Sequence, residues 1–248
     1  MYIDVHTHLD FYKENINKAF EDINENKIVT IANSMDIESY KLNKVYSNKS
    51  EYIIPTFGIH PWKAYEFKDD LNVLIPYIEE SKYIGEIGLD YVWVEDKNTF
   101  KRQREVFNFL LEEGAKRNKV ITIHTKGAEE EIYLKLKKMN YNKVVIHWYS
   151  GELDILRKYI ELGCYFTVSV DIGYSELTNN IIDMIPEDKL LLETDGPTAL
   201  EWVNGIYAYP SEIKDVYKKV SKYKNISEDE LIKRIMYNFN KLFCIDNI

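Results

Sequence analysis

The chain has 248 residues, enough for one large domain whose core needs neither disulfides nor a structural metal. A hydrophobic fraction of 45% and a charged fraction of 29% fit a water-soluble globular protein, and no apolar run approaches the ~18 residues of a membrane span. The net charge of −9 excludes a generally basic nucleic-acid-binding surface, but not an enzyme with a locally positive site.

Short β-branched runs at residues 2–6, 27–32, 52–58, 83–88, 120–124, 143–147, 164–169 and 189–194 read as strands. Several are apolar nearly throughout, such as Val144-Val145-Ile146, as expected of strands covered on both faces. Helical patterns lie between them: Phe100, Phe107, Leu110, Leu111 and Ala115 recur at helical spacing, as do Leu153, Leu156, Tyr159 and Ile160. The last helix opens with Ser227 three residues before Glu230, a capping-box spacing. Strands alternating with helices predict a parallel sheet. Eight of them without an intervening linker predict one α/β domain over residues 1–248, a (β/α)8 TIM barrel. No Gly-x-Gly-x-x-Gly follows the first strand and no Walker A motif occurs, which removes the main support for dinucleotide or P-loop readings. The first residues carry no basic segment followed by an apolar one, so a cytoplasmic location is expected. The two cysteines, Cys164 and Cys244, rule out a disulfide framework and a Cys-rich zinc site, and fit a reducing compartment.

The five histidines, His6, His8, His60, His124 and His147, each fall at or just beyond the C-terminal end of a predicted strand. In barrel enzymes that face carries the active site. His6 and His8 are two residues apart on a strand and so point the same way, able to share one ion. Glu86, flanked by glycines in Gly85-Glu86-Ile87-Gly88, is an unlikely core residue unless paired, and its two oxygens can bridge two cations. His124 and His147 end neighbouring strands and offer a second metal site. Asp195 ends the last strand, beside His6 and His8 in a closed ring.

These pieces resemble the TatD family of metal-dependent hydrolases, within the wider amidohydrolase-type barrels. The matching segments are residues 4–10 (DVHTHLD), 58–61 (GIHP), 85–91 (GEIGLDY), 123–126 (IHTK), 147–151 (HWYSG) and 191–197 (LLETDGP), with 238–243 (NFNKLF) similar to the usual C-terminal helix. The resemblance covers nearly the whole chain in order. It implies two divalent ions (Zn²⁺, Mn²⁺ or Mg²⁺): His6, His8 and Asp195 on one, His124 and His147 on the other, Glu86 between them, and His60 assisting substrate or leaving group without ligating. The chain departs from the pattern at Thr125-Lys126-Gly127, where Ser-Arg-Asp is usual after the histidine. It departs again at Gly196-Pro197-Thr198 and Tyr207-Ala208-Tyr209-Pro210, where an Arg-Asn-Glu-Pro segment is usual. The HWYSG and TDGP variants look like TatD-type proteins of Qat anti-phage cassettes, which implies protein partners in a defence system.

Two ions ~3.5–4 Å apart can lower the pKa of a shared water and polarise a scissile group. Asp195 would orient that water, accept its proton and pass it to the leaving oxygen. With 27 Lys against 5 Arg, phosphate would be held by lysine point charges, for which Lys63 and Lys126 are placed. Aromatic side chains of the same rim, Trp148, Tyr149 and Trp202 among them, would stack unpaired bases. The leading expectation is therefore a deoxyribonuclease acting from the 3′ end of single-stranded DNA. The same chemistry would also serve an ester or amide hydrolase such as a D-aminoacyl-tRNA deacylase, and a non-catalytic barrel activated by a partner is a third reading. The histidine-rich PHP phosphoesterase barrel also opens with His-x-His, but needs a histidine after the last-strand Asp, where this chain has Gly196-Pro197.

Overall fold

Burial on both faces explains why the apolar runs become strands: every residue of Val144–Ile146 and of Ile84–Asp90 is buried. In the computed structural model, which describes residues 1–245, the strands are β1 (Tyr2–Thr7), β2 (Ile28–Ala32), β3 (Ile53–Pro55) and β4 (Ile84–Asp90), then β5 (Ile121–Lys126), β6 (Val144–Ile146), β7 (Tyr165–Val168) and β8 (Leu190–Leu192). All eight predicted strands are present, with helices between most of them. The third is shorter than its apolar run because it ends at Pro55, which has no N–H for a further ladder step.

The chain forms two compact units. The first comprises Met1–Ala32, Leu42–Ile54 and Phe166–Ile248. Within it β1, β2 and β3 lie side by side, with Ile3 opposite Val29 and Asp4 opposite Thr30. β7 and β8 pair in parallel, and the chain just past β8 meets the end of β1 through a Thr7–Gly196 bridge. The helices Ile213–Lys224 and Glu228–Phe243 cover β1 and β8 with Val216, Val220, Ile235 and Phe239. Tyr217 from the first of these helices locks the start of β1: its hydroxyl accepts the Ile3 N–H and donates to the Ile3 carbonyl, each at 3.2 Å. Ser227 caps the second helix by accepting the Glu230 N–H at 3.1 Å, whereas the Glu230 carboxylate pairs with Arg234. Only that half of the capping box is seen.

The second unit comprises Asn33–Lys41 and Pro55–Tyr165. Here β4, β5 and β6 run parallel, with Gly88 opposite His124, Asp90 opposite Lys126 and Ile123 opposite Ile146. The helix Phe100–Lys116 lays Val106, Phe107, Leu110 and Leu111 into the core, as its spacing predicts. Its Gly114 permits close approach to the sheet, since a Cβ there would lie 3.1 Å from both Ile84 and Ile121 side-chain carbons. Neither Cys164 nor Cys244 is in a disulfide, and no helix among the described residues is long and apolar enough to cross a membrane.

Candidate metal centre

In the first unit the parallel junction of β1 with the chain after β8 assembles a cluster. Asp195 N–H donates to the His6 carbonyl at 2.9 Å, and His8 N–H donates to the Gly196 carbonyl at 2.9 Å. Asp195 takes a left-handed backbone conformation (φ 47°), uncommon for a residue with a side chain and typical of sites that the surrounding structure holds fixed. As a result the Nε2 atoms of His6 and His8 lie 3.3 Å apart, and Asp195 Oδ1 lies 3.6 and 3.5 Å from them. All three residues are buried. Beneath them Asp4 accepts from Thr194 N–H (3.0 Å), Thr194 Oγ1 (2.6 Å) and His6 N–H (3.3 Å). Its complete burial pushes its pKa up to about 7, against the opposing pull of these hydrogen bonds.

In the second unit Glu86 is the hub. Its Oε1 lies 2.9 Å from His147 Nε2, 3.0 Å from His124 Nδ1 and 3.4 Å from His60 Nε2. Space for this comes from the neighbouring glycines: a Cβ on Gly58 would lie 2.3 Å from the Glu86 carbonyl oxygen. His60 caps the short helix Pro61–Ala64, and its Nδ1 accepts the Trp62 N–H at 3.2 Å. A neutral ring that accepts at Nδ1 carries its proton on Nε2, the atom facing Glu86.

The donor set of the first unit fits a divalent cation. Donors about 2.0–2.2 Å from a tetrahedral ion lie about 3.3–3.6 Å from one another. The first-unit spacings of 3.3, 3.5 and 3.6 Å fall there, and imidazole with carboxylate is a donor set for zinc or manganese. In the second unit the ligand atoms of His60, Glu86 and His124 lie within 4.8 Å of one another, close enough to share an ion, and His147 Nε2 lies 2.9 Å from Glu86 Oε1.

All seven predicted ligand and catalytic residues thus sit in buried clusters. The predicted substrate contacts differ among themselves. Trp202 is 64% exposed on the helix Ala199–Asn204, and Lys63 is accessible beside Glu66 (3.0 Å). Lys126 Nζ donates to the Trp148 carbonyl (2.7 Å) and Ser150 Oγ (2.8 Å), so it braces the loop after β6, where Trp148 has φ 34°. Tyr149 corrects the expectation of base stacking: it is buried, its hydroxyl donates to the Glu152 carbonyl at 2.7 Å, and it offers no open ring face. Sequence reasoning missed Asp90. It follows Glu86 by four residues, the same-face spacing of a strand, and its Oδ2 lies 3.0 Å from His124 Nε2. Burial alone would raise its pKa, but the contacts with His124 and the N–H groups of Trp62 and Trp93 bring it down to about 2.

The chain's resemblance to known proteins runs through both units. The sequence profile described as TatD related DNase matches residues 3–244. An uncharacterized metal-dependent hydrolase of Methanocaldococcus jannaschii is 25% identical, with 98% of this chain and 96% of that protein covered. The human deoxyribonuclease TATDN3 is 24% identical, with 97% and 94% covered. Among solved structures, the TatD homolog YJJV of Escherichia coli K12 has a TM-score of 0.88 at 22% identity, covering 99% of this chain and 98% of that one. An uncharacterized amidohydrolase of Saccharomyces cerevisiae has a TM-score of 0.79 at 17% identity, covering 97% and 99%. The fold class is accordingly the α/β (β/α)8 barrel. With buried histidine–carboxylate clusters at its strand ends and a profile match from Ile3 to Cys244, the chain belongs to the TatD-related DNase family of metal-dependent hydrolases.

Proposed function

We propose that this protein is a two-metal deoxyribonuclease that removes nucleotides from the 3′ end of single-stranded DNA in the cytoplasm. His6, His8 and Asp195 would hold one divalent ion, and Glu86, His124 and His147 the other. The observation that carries the reading is the convergence of imidazole nitrogens and a carboxylate oxygen in each cluster, within 3.6 Å in the first and within 3.0 Å of Glu86 Oε1 in the second. The deoxyribonuclease named among the relatives supports DNA over other esters. The full-length profile match supports one catalytic domain.

When bound, the ions would supply Lewis acidity toward the phosphoryl oxygens and lower the pKa of water. The protein's own groups do the rest. Asp195 accepts the proton of the attacking water and returns it to the leaving oxygen. His60, whose Nδ1 accepts the Trp62 N–H, would hydrogen-bond through its Nε2–H to the substrate or leaving group rather than ligate. Trp202 gives an exposed indole face for an unpaired base, and Lys63 a cation for the backbone.

The test is elemental analysis joined to digestion of 3′-labelled single-stranded DNA with Mg²⁺, Mn²⁺ or Zn²⁺, beside Glu86→Ala. Two ions per chain and metal-dependent trimming that the variant loses are expected. Two ions without trimming, but with D-aminoacyl-tRNA hydrolysed, would replace the nuclease reading by an ester hydrolase. No bound metal in either protein would overturn both.

A further inference from the structure

Asp90 is a buried carboxylate with a full set of N–H donors and no place in the ligand set above. It is 0% exposed at the end of β4. Its Oδ1 accepts the backbone N–H groups of Val92 (2.9 Å) and Trp93 (2.8 Å). Its Oδ2 accepts the indole Nε1–H of Trp62 at 2.7 Å and faces His124 Nε2 at 3.0 Å. Its main chain is held as well: Gln103, buried on the helix Phe100–Lys116, accepts the Asp90 N–H at 2.9 Å and donates to the Asp90 carbonyl at 3.2 Å. The carboxylate cannot move without breaking contacts to three separate segments.

Three N–H groups that cannot change, those of Val92, Trp93 and the Trp62 indole, make both oxygens acceptors. His124 Nε2, 3.0 Å from Oδ2, therefore faces an acceptor and is the protonated nitrogen of the neutral ring. That leaves the lone pair on Nδ1, 3.0 Å from Glu86 Oε1, so two acceptors face each other there and a cation between them is what would reconcile them. From this we infer that Asp90 is a positioning residue. It fixes the tautomer and orientation of His124 so that Nδ1 is presented, unprotonated, to the ion held with Glu86. The inference rests on the metal reading proposed above and names what prepares one of its ligands. A carboxylate behind a ligating imidazole also raises its basicity, and loss of such a partner typically weakens metal affinity 10- to 100-fold.

The same geometry says what Asp90→Asn will do. An amide keeps one acceptor and turns the other into a donor. If its NH₂ faced the Val92 and Trp93 amides, it would oppose two donors that cannot change. If it faces Trp62 and His124, the imidazole can respond by moving its proton to Nδ1 and accepting at Nε2. The second arrangement costs less and leaves the wrong nitrogen protonated, as when the aspartate of a serine-protease triad is replaced by asparagine.

The experiment uses the full-length, metal-free protein labelled with ¹⁵N, read by long-range ¹H–¹⁵N imidazole spectra above the histidine pKa and then titrated with Zn²⁺. Wild type is expected to show His124 as the Nε2–H tautomer. Asp90→Asn is expected to show Nδ1–H at His124 alone and to bind the ion of the second unit about 10- to 100-fold more weakly. A folded Asp90→Asn with unchanged tautomer and unchanged Zn²⁺ affinity would overturn the inference. Should that variant not fold, wild type decides: Nδ1–H at His124 overturns it, and Nε2–H retained in Trp62→Phe, which removes only one of the four donors, supports it. A tautomer that switches in a protein that binds no Zn²⁺ at all would overturn the positioning role together with the metal reading, and the switch itself distinguishes that failure from the first.

Discussion

Gly88→Ala tests how closely the second cluster depends on strand packing. Gly88 lies opposite His124 in the parallel pairing of β4 with β5, and a Cβ there would sit 2.1 Å from the His124 carbonyl oxygen and 2.8 Å from its Cβ. The oxygen belongs to the backbone, so no side chain can swing aside. Restoring an ordinary contact of about 3.2–3.4 Å requires the strands to part locally by about 1 Å, and overpacking of this kind costs about 1–3 kcal/mol. For a chain of this length that is a fall in Tm of about 3–10 °C. The functional effect is larger than the stability effect. Glu86 and Asp90 flank Gly88 on β4, and both contact His124, each at 3.0 Å. A metal site tolerates only about 0.2 Å in its ligand distances, and a 1 Å misplacement can cost about 10²-fold in rate. Differential scanning calorimetry and Zn²⁺ titration of the purified variant check this. A Tm and an affinity both equal to wild type would refute the reasoning, because they would mean that the sheet absorbs the methyl group without moving the cluster.

Asp195→Asn should lower kcat about 10²- to 10⁴-fold in the DNA-trimming assay while the circular dichroism spectrum stays unchanged, since it removes the proton acceptor. His60→Ala should reduce kcat but leave the metal content of the protein at the wild-type value by elemental analysis; loss of an ion would instead make His60 a ligand. Trp202→Ala removes a side chain that is 64% exposed, so fluorescence anisotropy should show single-stranded DNA bound about 5- to 100-fold more weakly with no change in Tm. Ser227→Ala deletes the hydroxyl that accepts the Glu230 N–H, and thermal unfolding should register a loss of about 1 kcal/mol with kcat/KM unaltered.

The features legible in the sequence are those set by local periodicity, and those that are not depend on what pairing brings alongside. Val144-Val145-Ile146 can be a strand only if both faces are covered, and it is. His6 and His8 share a face because strands repeat every two residues, and their Nε2 atoms do meet. Glu86 stands out as a carboxylate among glycines, but the glycine that makes room for its backbone is Gly58, on another segment, while Gly85 and Gly88 clear Asn33 and His124. Asp90 has the same parity as Glu86 but did not stand out, because its meaning lies in His124 on the next strand, and in Trp62, Val92 and Trp93, which only the folded chain brings to it. Lys126 and Tyr149 misled for the converse reason. Their residue types suit phosphate and base, yet the loop after β6 consumes both: Lys126 is bound to the Trp148 carbonyl and Ser150, and the Tyr149 hydroxyl to the Glu152 carbonyl. Side-chain chemistry says what a residue can bind, and backbone acceptors within reach decide whether it is available to do so. Candidate metal ligands stand out in a sequence because several of them must converge and each must be a strong donor. A single lysine or tyrosine carries no such constraint, so its role is settled by the nearest carbonyl.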